Sequence, residues 1–433
     1  MKESESTVKI DYSRRSFLKK ASAASAGIAA TGAVSGFPMV WANKLKDVEL
    51  LHVGPSYSVI QEIADQASKD LGFKIQVQTA WTDALLTRIA NQPDTVDVAD
   101  LEFWATKRIW QRGNLQPVAI REIDLWDKIY PIFSKGEYPN GAKVSTQGAL
   151  PYEVQYASGP GSKEIHSGPT DYATIIPTVY NADTLGIRPD LIGRPIESWA
   201  ELLNPEFSGK TAILGIPAIG IMDAAMAVEA RGDIQYGDKG NKTRAEIDQT
   251  IEIMKDLKSR GHFRAFWSSF DESVNLMASG EVVIQSMWSP AVTAVKTRGI
   301  PCVYQEMKEG YRGWGNGMGI MAHLDGLKRD AAVAYLNWYL SGWQGGFIAR
   351  QGYYSAVPET ARDHMSEDEW GYWYEGRPAN DNIVDPYGNL MGKAGEKRDG
   401  GAFAKRMGNI ECWNTVMDEN RYMVKKWNEF TAS

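Results

Sequence analysis

The stretch VELLHVGPSYSVIQEIADQASKDLGFKIQV, residues 48–77, decides the class of fold. Val48 to Val53 is a short apolar run that stops at Gly54-Pro55. Ile60, Ile63, Ala64, Ala67 and Leu71 then recur at helical spacing, and Gly72 ends the helix. Phe73-Lys74-Ile75-Gln76-Val77 alternates with period two, the mark of a strand. The unit repeats: Ala84, Leu85 and Ile89 mark a second helix, Val96 to Leu101 a third strand, and Ile109-Trp110 a helix closed by Gly113. Parallel neighbours need a crossover, which these helices supply, so the rhythm predicts an α/β fold on a parallel sheet.

Beyond Arg121 the pattern weakens, with many Gly, Pro, Tyr and Ser, until Ala173 to Tyr180 restores an extended apolar run. Pro177 should confine that run to a sheet edge or a bend, because it cannot donate to a ladder. Ser198 caps a short helix through Leu203, and Gly209 precedes a strand over Lys210–Leu214. Helices follow at Ile247, Ile251, Met254 and Leu257, stopped by Gly261, and at Val274 and Met277, ended by Gly280. Strands at Val282–Met287 and Ile300–Gln305 flank a helix from Ala291. A chain of 433 residues is too long for one simple core, so a second α/β lobe is expected. Tyr311 to Gly319 is the most Gly-dense stretch and lacks the Lys-Ser/Thr of a phosphate loop. It is read as a flexible crossing segment. The tail after Glu359, aromatic-rich and poorly patterned, is expected to wrap one lobe.

Ser13-Arg14-Arg15-Ser16-Phe17-Leu18-Lys19 precedes a mild Ala/Gly-rich run from Ala21 to Gly36 and a small-residue site at Val40-Trp41-Ala42. That order of basic, apolar and small residues is a secretory leader, and the run is too short to span a membrane. The paired arginines resemble the twin-arginine signal, which implies export of a folded protein by that machinery. With no cysteine near the cleavage point, the expectation is a signal peptide over 1–42 and a mature chain free in the periplasm. Its six Lys/Arg and three Asp/Glu, removed from the whole-chain −7, leave −10, which argues against nucleic acid or anionic membrane as partner. Cys302 and Cys412 could pair in an oxidising compartment or stay as buried thiols.

Catalytic and metal signatures are scarce. The five histidines show no H-x-x-x-H or H-x-E spacing, and no G-x-S-x-G or S-x-x-K motif occurs in the mature chain. No C-x-x-C holds a cluster or haem. Tyr353-Tyr354 could ligate ferric iron through phenolates, although packing is the better explanation of the pair. No enzyme activity and no cofactor are expected.

Several segments together resemble the solute-binding proteins of ABC importers, in particular the spermidine/putrescine type. They are Ser198-Trp199-Ala200-Glu201-Leu202-Leu203-Asn204-Pro205-Glu206-Phe207-Ser208-Gly209-Lys210, Met277-Ala278-Ser279-Gly280-Glu281-Val282, Met287-Trp288-Ser289-Pro290-Ala291, and Gly352-Tyr353 followed by Val357-Pro358. The resemblance implies a two-lobed periplasmic-binding-protein fold of type II, each lobe a mostly parallel sheet flanked by helices. The lobes would comprise residues 47–177 with 314–352, and 178–313 with 353–433. It implies a monomer that closes on a small-molecule solute and delivers it to permease subunits in the inner membrane. Carried across, the aromatic ligand box falls on Trp288 and Trp314. The first-strand loop brings Ser56 and Tyr57, the third-strand loop Trp104 and Thr106, and the "GY" segment Tyr353. The family's clamping carboxylates are displaced: the second-lobe positions fall near Ile219 and Met222, and the crossing position becomes Asn316. A linear polyamine therefore fits poorly, because a buried ammonium without a charged partner is costly. Asp171 and Glu102 remain as partners for a smaller amine, while Lys107 and Arg108 could meet an anion or simply be solvated. A ferric-iron or anion carrier of the same fold and an exported enzyme are the competing readings.

Overall fold

The computed structural model describes residues 45–432, so the leader expected over 1–42 lies outside the described residues. The opening stretch folds as β1 (Glu49–Gly54), α1 (Gln61–Leu71) and β2 (Lys74–Thr79). α1 buries Ile63, Ala64 and Ala67, and its cap Gly72 sits at φ 79°, a left-handed geometry that a Cβ would oppose. α2 (Thr82–Asn91), β3 (Val98–Glu102) and α3 (Phe103–Trp110) complete the first unit. β1 pairs in parallel with both β2 and β3, as the crossover rhythm requires.

A long strand, β4 (Ile176–Ile187), leads to the second unit. That unit runs β5 (Thr211–Leu214), α4 (Pro217–Arg231), α5 (Arg244–Ser259), β6 (Phe263–Trp267), α6 (Phe270–Ser279), β7 (Ile284–Met287) and α7 (Ser289–Thr297). β5 pairs in parallel with β6 and β7. A second long strand, β8 (Tyr311–Met321), then returns to the first unit. Across the sheet the order is β6-β5-β7-β4-β8-β3-β1-β2. Two parallel triplets are thus joined through β4 and β8, which run antiparallel to each other and to their neighbours β7 and β3. This is the mixed α/β, two-lobed architecture expected.

Two local expectations need correction, and one holds. Pro177 stands near the start of β4, opposite Gly317 of β8, at a bend, one of the two places expected for it. It is tolerated because the register of β4 and β8 shifts between Asn316 and Gly317, directly opposite, so the missing N–H falls at a bulge. The Gly-dense segment is no flexible crossing: it is β8, buried along its whole length. Gly313, Gly315, Gly317 and Gly319 share one face of that strand, where an added Cβ would come within 2.8–3.0 Å of Ile410, Phe133, Ile175 and Leu115. The glycines therefore make room for close packing on one face, leaving Arg312, Trp314 and Asn316 on the other. The strand expected over 300–305 shrinks to Val303–Tyr304, paired with β4.

α4 has no amphipathic stripe to read in the sequence, since residues 220–228 are buried all round. Cys302 and Cys412 are buried and free, and burial pushes both thiols up to about 12. After α8 (Gly326–Leu340) and α9 (Trp343–Ala349), β9 (Tyr354–Ser355) pairs with β4 just ahead of the tail. A hairpin, β10 (Ile383–Val384) and β11 (Leu390–Gly392), follows. β12 (Ile410–Trp413) then adds in parallel to β8, and α10 (Asn420–Ala432) packs on α4 and α5. Two buried tail arginines fasten it: Arg398 donates to the carbonyls of Gly352 and Trp373, and Arg406 to that of Ala182. The tail therefore reaches the central strands as well as one flank. Among the described residues no helix is long and apolar enough to cross a membrane.

Candidate functional site

A cleft of ≈ 380 Å³ opens over the free face of β8. The first unit contributes the segments that leave its parallel strands: Ser56 and Tyr57 after β1, Trp81 after β2, and Glu102 ending β3. That is where open α/β sheets offer crevices. The second unit contributes Ile219 from α4, Phe270 from α6, Trp288 after β7, and Thr293, Ala294 and Thr297 from α7. Asp183 of β4 and Arg312 and Trp314 of β8 form the floor. Gln351 and Tyr353, with Asp385, Asn389, Met391 and Asn414 of the tail, complete the lining.

The aromatic residues form two groups. Tyr57 lies 4.9 Å from Trp314 and stacks on Tyr353 at 5.5 Å. Trp288 meets Trp267 edge-on at 4.8 Å and Trp81, from the other unit, at 6.2 Å. Such faces hold cations or methylene chains.

Charge in the floor is organised by Arg312. Its Nε donates to Asp223 at 2.7 Å, Nη1 to Asn414 at 2.7 Å and Nη2 to Asp183 at 3.2 Å. Burial works against the guanidinium charge, but Asp223 and Asp183 more than offset it, so its pKa stays raised. The carboxylates are not fully compensated in return. Burial pushes Asp183 up to about 6 against the pull of Arg312, and its Oδ1 has no hydrogen-bond partner among the described residues. Glu102 is also raised by burial, and both its hydrogen bonds, from Asn414 at 2.9 Å and Trp104 at 2.8 Å, end on Oε2. Oε1 is left to the cleft. Behind Trp314, Tyr57 donates to Asn316 at 3.0 Å, and Asn316 donates to Asp100 at 2.8 Å. Asp100 is fully buried and raised to about 7 by desolvation, with the His52 ring 3.8 Å away and itself lowered to about 3 by burial.

Of the residues expected from sequence, Ser56, Tyr57, Trp288, Trp314 and Tyr353 line the cleft together. Asn316 stands one hydrogen bond behind Tyr57. Trp104 and Thr106 do not line it, because β3 runs directly into α3 with no intervening loop. Trp104 turns back to hold Glu102, with Arg108 5.7 Å over its ring, and Thr106 faces the interior. Asp171 is exposed beside a separate four-stranded sheet, where its carbonyl accepts from Ile120. The carboxylate missing at Met222 stands one residue on, as Asp223, and Arg312 occupies it. Tyr353 faces the cleft whereas Tyr354 is buried under Arg398, so the pair cannot converge on one iron. Sequence reasoning missed Trp81, Asp183, Arg312 and the tail residues. The Tyr311-Arg312-Gly313-Trp314 alternation was the available signal for Arg312.

Comparison places this geometry among known folds. The spermidine/putrescine ABC transporter substrate-binding protein PotD of Streptococcus pneumoniae is similar over 89% of this chain and 98% of its own, with a TM-score of 0.60 and 14% identity. The PotD lipoprotein of Treponema pallidum gives 0.62 at 10% identity, covering 89% and 100%. The binding protein MotA of A. tumefaciens B6, solved with glucopine, gives 0.54 at 13%, covering 89% and 100%. No curated protein matches the chain in sequence. The model for bacterial extracellular solute-binding proteins matches residues 62–371, and the chain belongs to that family.

Proposed function

We propose that the chain is the periplasmic solute-binding subunit of an ABC importer, exported through a twin-arginine leader, that captures a small, singly charged amine. The lobes divide at 177/178, 313/314 and 352/353, close on the solute and present it to inner-membrane permease subunits. It acts without catalysis and as a monomer. The observation that carries the ligand class is the charge of the cleft: Glu102, Asp183 and Asp385 face one guanidinium, Arg312, which Asp223 already shares. The unused oxygens, Glu102 Oε1 and Asp183 Oδ1, suit one ammonium group, and the rings of Tyr57, Trp314 and Tyr353 suit its alkyl portion. No second free carboxylate pair stands among the described lining residues, because Asp385 accepts from Tyr387 and Asn389 within its own turn. That disfavours spermidine-like chains. The structural neighbours named for spermidine/putrescine and for glucopine are consistent with an amine-type solute.

Calorimetry on the mature chain tests this against monoamines, diamines, spermidine, sugars and organic acids. Micromolar binding is expected for a monoamine, and E102Q should weaken it roughly tenfold through loss of a charge-assisted hydrogen bond. Tight binding of spermidine, binding confined to sugars or acids, or turnover of the bound compound would each overturn the reading.

A further inference from the structure

The family match ends at residue 371, yet the cleft takes Asp385, Asn389 and Met391 from beyond it. These belong to the β10–β11 hairpin, whose turn organises itself. Asp385 accepts the backbone N–H groups of Tyr387 and Asn389, each at 2.8 Å, and the Asn389 amide at 2.9 Å. Gly388 supplies the left-handed residue at φ 84°.

The hairpin also touches both units. On one side β11 packs on α7, the helix whose Thr293, Ala294 and Thr297 line the cleft. On the other, Tyr387 meets Phe347 of α9 edge-on at 6.3 Å. Desolvation and then the neighbouring Glu62 carboxylate of α1 raise its phenol pKa. Tyr387 is nonetheless 56% exposed and Val384 41%. Apolar tips this open contribute little to a core, whereas Asp385, Asn389 and Met391 of the same hairpin line the cleft. Met391 lines the cleft with only 6% of its surface exposed, and Asn389 Oδ1 accepts no hydrogen bond among the described residues.

We propose that the hairpin of residues 383–392 is a strap across the cleft mouth that walls the solute site and sets the size of solute admitted. Met391 meets the solute's apolar portion and Asn389 offers it an acceptor. A flexible thioether moulds to an alkyl chain, and its replacement changes the room available one group at a time. The strap rests on the amine reading only for the choice of probe.

Two measurements on the full mature chain test it. In the first, Thr293→Cys places a thiol in the cleft, and its rate of reaction with iodoacetamide is followed. Cys302 and Cys412 stay silent because both are buried with thiols pushed up to about 12. Adding Tyr387→Ser releases the strap and should speed labelling roughly tenfold, with the global melting temperature unchanged. Equal rates would overturn the strap. In the second, calorimetry with linear primary amines from ethylamine to octylamine compares the native chain with Met391→Ala and Met391→Trp. The best-bound length should move up for the alanine and down for the tryptophan variant. An unmoved optimum in Met391→Ala would overturn the size-setting role. If no amine binds any form while release of Tyr387 still speeds labelling, the amine reading falls and the strap stands.

Discussion

The cleft face of β8 carries two polar residues four positions apart, Arg312 and Asn316, on either side of Trp314. Each meets a fully buried acid, and the two ends solve the problem differently. At Arg312 a guanidinium joins Asp183 and Asp223, so charge is matched inside the fold. At Asn316 a neutral amide meets Asp100, which among the described residues no cation compensates beyond a histidine that burial keeps neutral. The paired end holds together both connecting strands, α4 of the second unit and the tail. The unpaired end leaves a carboxylate that titrates near neutrality. A buried ion pair is therefore a junction here, and a buried lone acid a stored cost.

The sharpest way to break the contrast is Arg312→Met. It strands Asp183 and Asp223 in the interior and should lower stability by about 3–5 kcal/mol, measured by urea unfolding near pH 8. Acid should return part of the loss by protonating the stranded pair. The opposite experiment is Asp100→Asn. The folded-state pKa of about 7 lies above the ordinary 3.8, so native Asp100 holds its proton more tightly when folded. Its stabilising contribution is complete below about 4, fades as pH rises towards 7, and becomes a cost above that. A gap of this size corresponds to up to about 4 kcal/mol, so the variant should unfold at higher urea than the native chain at pH 8 and equally near pH 4. Equal midpoints at pH 8 would mean that Asp100 carries no such cost.

Smaller effects separate the two faces of β8 themselves. Gly315→Ala puts a methyl 3.0 Å from the Phe133 ring and 3.3 Å from Phe103, and should cost about 1–3 kcal/mol in unfolding without touching the cleft. Trp314→Ala, one residue away on the open face, should instead weaken amine binding by about 0.5–2 kcal/mol in calorimetry. If both substitutions moved the same observable, the division of labour between the faces would be wrong.

Much of the first unit was legible because its helices are amphipathic, β1 stops at Gly54-Pro55 and α1 at Gly72, so local pattern and global fold agree. The second unit was legible except for α4, whose uniform burial erases the period a reader looks for. Of the cleft, Tyr57, Trp288, Trp314 and Tyr353 were named only through the resemblance to spermidine/putrescine-type binding proteins, and Trp81 was not named at all. The charges around Arg312 could not be named in advance. Arg312 and Asp223 are 89 positions apart and Asn414 a further 102 on, and nothing local marks them as one group. Trp104 and Thr106 were misplaced for a different reason: whether a strand ends in a loop or feeds a helix directly turns on one residue's backbone, here Glu102.

The sequence by itself determined the alternation of strand and helix, hence the two parallel strand triplets, because periodicity is a property of neighbours along the chain. Only the tertiary structure decided that the glycines of β8 are a packing face, that one arginine gathers two acids and an amide, and that the tail returns to wall the cleft. Those outcomes depend on which distant groups are buried together, and burial sets the energy of a charge or a missing side chain through neighbours that the local sequence does not contain.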